Sequence, residues 1–176
     1  MLFLILILLS CIGAIAGISV FYGLYVGNNE LRFFRLREAA YPPMYGTDGA
    51  SGADLRTPYD VTIPPGARGF RVPLGIAVEV PEGYEMQIRS RSGIASKTPL
   101  RISNAPGTID SDYRGEIVVL FDHTDLSGEP IKFSQGDRVA QAVLAPYHKV
   151  RFTEVVSLAD LSTTKRGSGG FGHTGR

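Results

Sequence analysis

Three groups of residues have the types and spacings to do chemistry. The first is the last stretch, Arg166-Gly167-Ser168-Gly169-Gly170-Phe171-Gly172-His173-Thr174-Gly175-Arg176. Gly167, Gly169 and Gly172 fit G-x-G-x-x-G, and the run also fits a phosphate loop with His173 in place of its lysine. Both motifs open a helix, and four residues after Gly172 leave no length for one, so neither fold is expected. The run has a simpler use. Repeated glycine lets backbone N–H groups approach phosphate oxygens. Lys165, Arg166 and Arg176 add positive charge, and no Asp or Glu follows Asp160. Phe171, alone among glycines, suits an aromatic closing over something flat. A disordered tail has the same composition.

The second group is Arg89-Ser90-Arg91-Ser92-Gly93. Guanidinium, hydroxyl and glycine together suit an oxyanion, and a solvated strand end followed by a turn reads the same way. The third is Asn104-Ala105-Pro106-Gly107-Thr108-Ile109-Asp110-Ser111-Asp112-Tyr113-Arg114-Gly115. On a strand Asp110 and Asp112 would share a face. One of them could act as general base or metal ligand. A polar hairpin explains the segment equally well.

The elements that position these groups read as all-β. From Glu30 onward no long helical period appears. Short apolar and β-branched runs cover Leu31–Leu36, Gly69–Val72, Leu74–Val80, Tyr84–Ser90, Glu116–Phe121, Arg138–Leu144 and Val150–Val156. Pro64-Pro65-Gly66, Pro81-Glu82-Gly83, Ser127-Gly128 and Gln135-Gly136-Asp137 punctuate them with turn chemistry. Ser92–Lys97 is the one expected short helix. Strands of this length with Gly/Pro turns suit a sandwich, jelly roll or barrel. No internal repeat is visible.

Composition removes several classes of function. Lys+Arg 18 against Asp+Glu 17 leaves +1 over 176 residues, so nothing favours non-specific nucleic-acid binding. One cysteine, Cys11, excludes an internal disulfide and a Cys-based zinc cluster. His123, His148 and His173 lack ligand spacing, so zinc is not expected.

The amino-terminal stretch differs from the rest. Leu2–Val26 is 25 positions without a charge, and 15 of them are Leu, Ile, Phe or Val. A spanning helix needs about 20 apolar residues. Insertion of those 15 gains roughly 5 to 9 kcal/mol at most. Arg32, Arg35 and Arg37 follow the stretch. The expectation is a single-pass anchor over residues 1–27, with the rest on the cytoplasmic side. A cleaved signal peptide ending near Ala14-Ile15-Ala16 competes, but no Lys or Arg precedes the run and it continues past Ala16.

The order of the groups points to a family. Ser51-Gly52-Ala53-Asp54-Leu55-Arg56, Arg91–Lys97, Gly107–Gly115 with Asn104 just ahead, Gly136–Gln141 and Arg166–Gly175 occur in sequence. Together they resemble the five motifs of the trimeric dUTPase family, over about Glu30 to Arg176. The resemblance implies a jelly-roll or distorted-barrel domain over 28–161 and a Gly-rich lid over 162–176. It implies hydrolysis of dUTP to dUMP and pyrophosphate, which limits uracil in DNA and supplies dUMP for dTTP synthesis. Mg²⁺ would accompany the triphosphate. A homotrimer would hold active sites between subunits.

The residue roles it implies are these. Asp110 would hold and activate the attacking water. Arg91, Ser92, Gly93 and Gln141 would line the phosphates, joined by Arg166, Gly172 and Thr174 from the lid. Asn104, Gly107, Thr108, Ile109 and Asp110 would meet the uracil and sugar. Tyr113 would press on the deoxyribose and Phe171 would stack on uracil. Asp54 would act remotely, through metal-bound water or subunit contacts, with no direct metal ligand in the chain. Two alternatives accompany this reading: a dCTP deaminase or bifunctional relative on the same fold, and a membrane-anchored dUTP sensor without turnover.

Overall fold

A computed structural model describes residues 30–170 and 172–173. The expected anchor over 1–27, Phe171 and Thr174 lie outside the described residues. Among the described residues no helix is long and apolar enough to cross a membrane.

The strands are β1 (Arg32–Arg35), β2 (Met44–Tyr45), β3 (Ala53–Arg56), β4 (Val61–Ile63), β5 (Phe70–Pro73), β6 (Ile76–Glu79) and β7 (Tyr84–Arg89). A short helix α1 (Ser92–Lys97) follows, then β8 (Leu100–Ile102), β9 (Gly107–Ile109), β10 (Val118–His123), β11 (Ile131–Phe133) and β12 (Arg138–Pro146). One turn of 3₁₀ helix covers Leu158–Asp160. The pairings are antiparallel throughout: a five-stranded sheet β2-β3-β12-β7-β9, a three-stranded sheet β5-β10-β8, and the pairs β1-β6 and β11-β4.

Side-chain alternation builds the core between these sheets. On β10, Val119, Phe121 and His123 point inward; on β6, Ile76 and Val78 do; on β7, Met86 and Ile88 do. Leu55, Ile63, Val72, Leu74, Ile117 and Val139 complete it, each at most 1% exposed. Phe121 stacks on Phe133 with ring centres 6.1 Å apart. Two turns show why glycine closes them. Tyr84 N–H donates to Pro81 O (3.1 Å) and Asp137 N–H to Ser134 O (2.9 Å). Gly83 (φ 83°) and Gly136 (φ 88°) take the third position of these turns, where a left-handed residue is required.

Asp122 ties three strand ends together. It accepts from Gly69 N–H (2.8 Å) and Ser103 Oγ (2.7 Å), with Arg68 at 3.5 Å. The Gly69 amide first, then the Ser103 hydroxyl, hold its carboxyl below the usual range, against a smaller opposing effect of desolvation.

The helix expected over Ser92–Lys97 forms with those bounds. Thr98 ends it, its hydroxyl donating to Ile94 O at 2.7 Å. The run Val150–Val156 is not a strand. Its apolar residues have no partner strand among the described residues, and Phe152 stays 93% exposed and Val156 fully so. The expected Glu116–Phe121 strand begins later, at Val118, where the ladder with β5 starts. Ile117 instead bonds both sides of the Gly75 turn, donating to Ile76 O (2.8 Å) and accepting from Leu74 N–H (2.9 Å). The Glu116 carboxylate takes Gly75 N–H (2.8 Å) and Arg37 (3.2 Å). Strands β2, β3, β4, β8, β9 and β11 have two to four residues, too few to display a period.

Candidate active site

The first cluster forms where β3, β12 and β7 lie side by side. Gln141 on β12 stands opposite Asp54 on β3 and opposite Arg89 on β7. Ala53 and Leu55 face the core, so Asp54 projects from the other face of the sheet. It is nonetheless buried, because other side chains cover it. Arg91 Nε donates to its Oδ1 at 3.0 Å and Gln141 Nε2 to the same oxygen at 3.4 Å. Arg138 Nη1 donates to Oδ2 at 3.2 Å. Arg91 Nη1 also reaches Arg138 O at 3.4 Å.

Two guanidinium groups therefore share one buried carboxylate, and the cluster keeps one positive charge in excess. Asp54 fixes both arginines by one edge and leaves their remaining N–H groups for an anion. Arg91 occupies the extended position just before α1. Ser92 and Gly93, both exposed, form the first turn of α1, where N–H groups lack intrahelical acceptors. The arrangement suits a polyanion lying over the strand end. Gly52 packs closely here: a Cβ on it would meet Gln141 Cβ and Cδ at 3.3 Å, so a larger residue must displace that side chain by a few tenths of an ångström.

Arg138 is a member of this cluster that the sequence reading assigned no role. Residues three apart on a regular strand face opposite sides. A register shift between Arg138 and Ala140 inserts one residue into β12, which turns Arg138 to the side of Gln141. No spacing rule in the sequence reveals a bulge.

The second cluster is the hairpin after β8. The Ala105–Pro106 peptide is cis. β9 then pairs with β7, placing Gly107 against Ile88, Thr108 against Gln87 and Ile109 against Met86. The Asn104 amide lies over Gly107, where a Cβ would come within 3.2 Å of Nδ2 and 3.4 Å of the Ile88 Cβ. Asn104 and the Gly107–Ile109 backbone thus form one polar wall. Asp110 follows, exposed, and its carbonyl accepts from Tyr113 N–H at 3.1 Å. Residues 110–113 are a turn, so Asp110 and Asp112 do not share a strand face. Arg114 Nη1 closes the turn on Ser111 O (2.7 Å) and Tyr113 O (2.8 Å), and Tyr113 Oη donates to Glu116 O (3.1 Å).

The two clusters do not meet within one chain. Ile109 stands opposite Met86, so Asp110 lies level with Glu85, at the start of β7. Arg91 lies six positions further along, about 20 Å away at the rise of a strand. The described part of the tail joins neither. Arg166 Nε donates to Gly169 O (2.7 Å), and Gly167 N–H reaches Thr164 Oγ1 (3.1 Å). Gly172 is left-handed, with φ 88°. Among the described residues no group of three or more His, Cys, Asp or Glu side chains could hold a metal ion.

An all-β scaffold that sets two arginines and helix-start N–H groups at one end of β7, and an Asn/Gly-lined hairpin with an exposed carboxylate at the other, has the groups that a protein for nucleotide phosphates needs. The dUTPase family profile matches residues 38–175. The deoxyuridine 5'-triphosphate nucleotidohydrolase of Anaeromyxobacter sp. (strain Fw109-5) is 50% identical over 135 residues, 76% of this chain and 87% of that protein. The protein of the same name from Hydrogenobaculum sp. (strain Y04AAS1) is 49% identical, over 80% of this chain and 94% of its own length. Among solved structures, the Staphylococcus bacteriophage 80alpha dUTPase with dUPNHPP superposes with a TM-score of 0.74 at 26% identity, covering 85% of this chain and 100% of that one. A mutant dUTPase from phage phi11 of S. aureus, described with a structural Mg(II) ion, gives 0.64 at 26% identity, covering 74% and 99%. The chain belongs to the dUTPase family.

Proposed function

We propose that this chain hydrolyses dUTP to dUMP and pyrophosphate in sites built between copies of itself. The observation that carries the shared site is the separation along β7. The anion-binding pair Arg91 and Arg138 sits at one end and Asp110 at the other, about 20 Å apart. In-line attack on a phosphorus needs the water and the phosphate within a few ångströms. A second copy must therefore bring its hairpin to the arginines. The apolar surface supports assembly. A groove of about 260 Å³ between Leu31, Phe33, Pro43, Tyr45, Met86 and Leu144 lies open, and the unpaired segment with exposed Val150, Phe152 and Val156 offers apolar residues to fill it in another copy. A homotrimer is the proposed assembly.

Asp110 holds and deprotonates the water that attacks the α-phosphorus, and pyrophosphate leaves. Arg91, Ser92, Gly93, Gln141 and Arg138 hold the phosphates. Arg166, Gly172 and Thr174 bring the tail to the far phosphate, and Phe171 covers uracil. Asn104 with the backbone of Gly107, Thr108 and Ile109 reads the uracil edge. Cytosine presents a donor where uracil presents an acceptor, and a mismatch strands a buried polar group. With no ligand cluster among the described residues, Mg²⁺ would come with the triphosphate and would supply charge neutralisation. Asp54 has both oxygens engaged by donors, so it serves as counter-ion to the arginines.

The purified full-length chain, offered a panel of nucleoside triphosphates, should release pyrophosphate from dUTP alone. Ammonia from dCTP would establish the deaminase instead. Binding of dUTP without release of either product would establish the sensor.

The apolar stretch Leu2–Val26 and the arginines after it support a single membrane anchor with the domain on the cytoplasmic side. A charged triphosphate does not cross a bilayer, which requires the same side. A tag after Arg176 should resist protease added to intact cells. Its digestion without lysis would refute the orientation, and a mature chain starting after Ala16 would show a cleaved signal.

A further inference from the structure

We infer that Gly115 sets the discrimination against ribonucleotides by giving the Tyr113 ring a flat bed. The inference rests on the reading that Tyr113 meets the deoxyribose. Tyr113 folds back over the chain that follows it. Its hydroxyl donates to Glu116 O at 3.1 Å, and the ring lies on Gly115. A Cβ built on Gly115 would stand 2.6 Å from Tyr113 Cζ and 3.0 Å from Cε2, and closer still to Oη. Carbon atoms pack at about 3.5 to 4.0 Å. A methyl group at this position would therefore push the ring away by roughly 1 Å, an offset large enough to disturb a tight site.

The backbone itself does not ask for glycine. Gly115 is not among the residues with left-handed φ. The three nearest neighbours of the added carbon all belong to the Tyr113 side chain, which has room to move because it is 44% exposed. The floor under the ring is fixed independently. The Glu116 carboxylate is held by Gly75 N–H (2.8 Å) and Arg37 (3.2 Å), and Arg114 clamps Ser111 O and Tyr113 O. A side chain at residue 115 thus moves the tyrosine and little else. The height of that ring decides whether a 2′-hydroxyl fits beneath the sugar. Gly115 is a positioning residue that acts through Tyr113.

The test is a double-mutant cycle read as the ratio of kcat/KM for dUTP to kcat/KM for UTP. Gly115→Ala should shift that ratio by about tenfold or more. In a Tyr113→Ala background the same substitution should change it less than about twofold. An unchanged ratio in Gly115→Ala, or an equal shift in both backgrounds, overturns the inference. Tyr113→Ala leaving the ratio intact would instead overturn the sugar-contact reading itself. If Gly115→Ala alone does not fold, the double variant decides. Recovery of folding when the ring is removed supports the steric account, and failure of both shows that the backbone requires glycine for another reason.

Discussion

Asp110→Asn is expected to leave a folded chain that binds dUTP and has lost about 10²- to 10⁴-fold of its turnover, the range a positioned general base supplies. The two side chains have nearly the same shape, so the change removes charge and proton affinity rather than volume. Folding has little at stake. Asp110 is exposed, and the hydrogen bond that shapes its turn uses its backbone carbonyl, which accepts from Tyr113 N–H at 3.1 Å. The Arg114 clamp on Ser111 O and Tyr113 O also uses backbone oxygens. Three measurements check the result: pyrophosphate release under saturating dUTP, calorimetric binding of dUTP, and the thermal melt. A fall in kcat with an unchanged melt and preserved binding is expected. Near-normal turnover would remove Asp110 from the chemistry.

Much of this site was legible in the sequence because its residues are carried by short contiguous motifs. Arg91-Ser92-Gly93 opens a helix whose bounds the sequence anticipates, and Arg91 and Gln141, both expected at the phosphates, meet on Asp54, which is expected to act more remotely. What escaped was non-local. The bulge in β12 that turns Arg138 onto Asp54 leaves no trace in spacing. The alternation read at Asp110 and Asp112 assumes a strand, whereas the Tyr113 to Asp110 hydrogen bond makes the segment a turn. Val150–Val156 has the pattern of a strand without a neighbour among the described residues, and period alone cannot supply the partner. Short strands such as β4 and β11 exist because each lies beside the other, a fact of topology.

Mixing two inactive variants is expected to restore activity, and this result bears most directly on the architecture. The register of β9 on β7 places Asp110 level with Glu85 while Arg91 lies beyond the far end of the strand. Strand geometry sets that separation at about 20 Å, and no side chain bridges it. A site using both residues must take them from different copies. Asp110→Asn chains supply intact arginines without the base, and Arg91→Ala chains supply the base without the arginine. Neither should turn over dUTP alone. In trimers assembled at random from equal amounts of the two, about one quarter of the sites should receive Asp110 from one variant and Arg91 from the other. Doubly tagged trimers exclude the two parental homotrimers and have one complete site in three, so their activity should approach about one third of the unmodified enzyme at equal subunit concentration. The Arg91 variant needs its own control, because removing Arg91 leaves buried Asp54 with Arg138 and Gln141 as its remaining donors. Its melt must be recorded, and Arg91→Lys offers a variant that keeps the charge while losing the paired donors. Co-expression with two different tags, purification on both in turn, and a pyrophosphate assay give the measurement. If doubly tagged assemblies form and remain as inactive as either parent, Asp110 and Arg91 do not serve one site from two copies, and the shared-site reading is wrong.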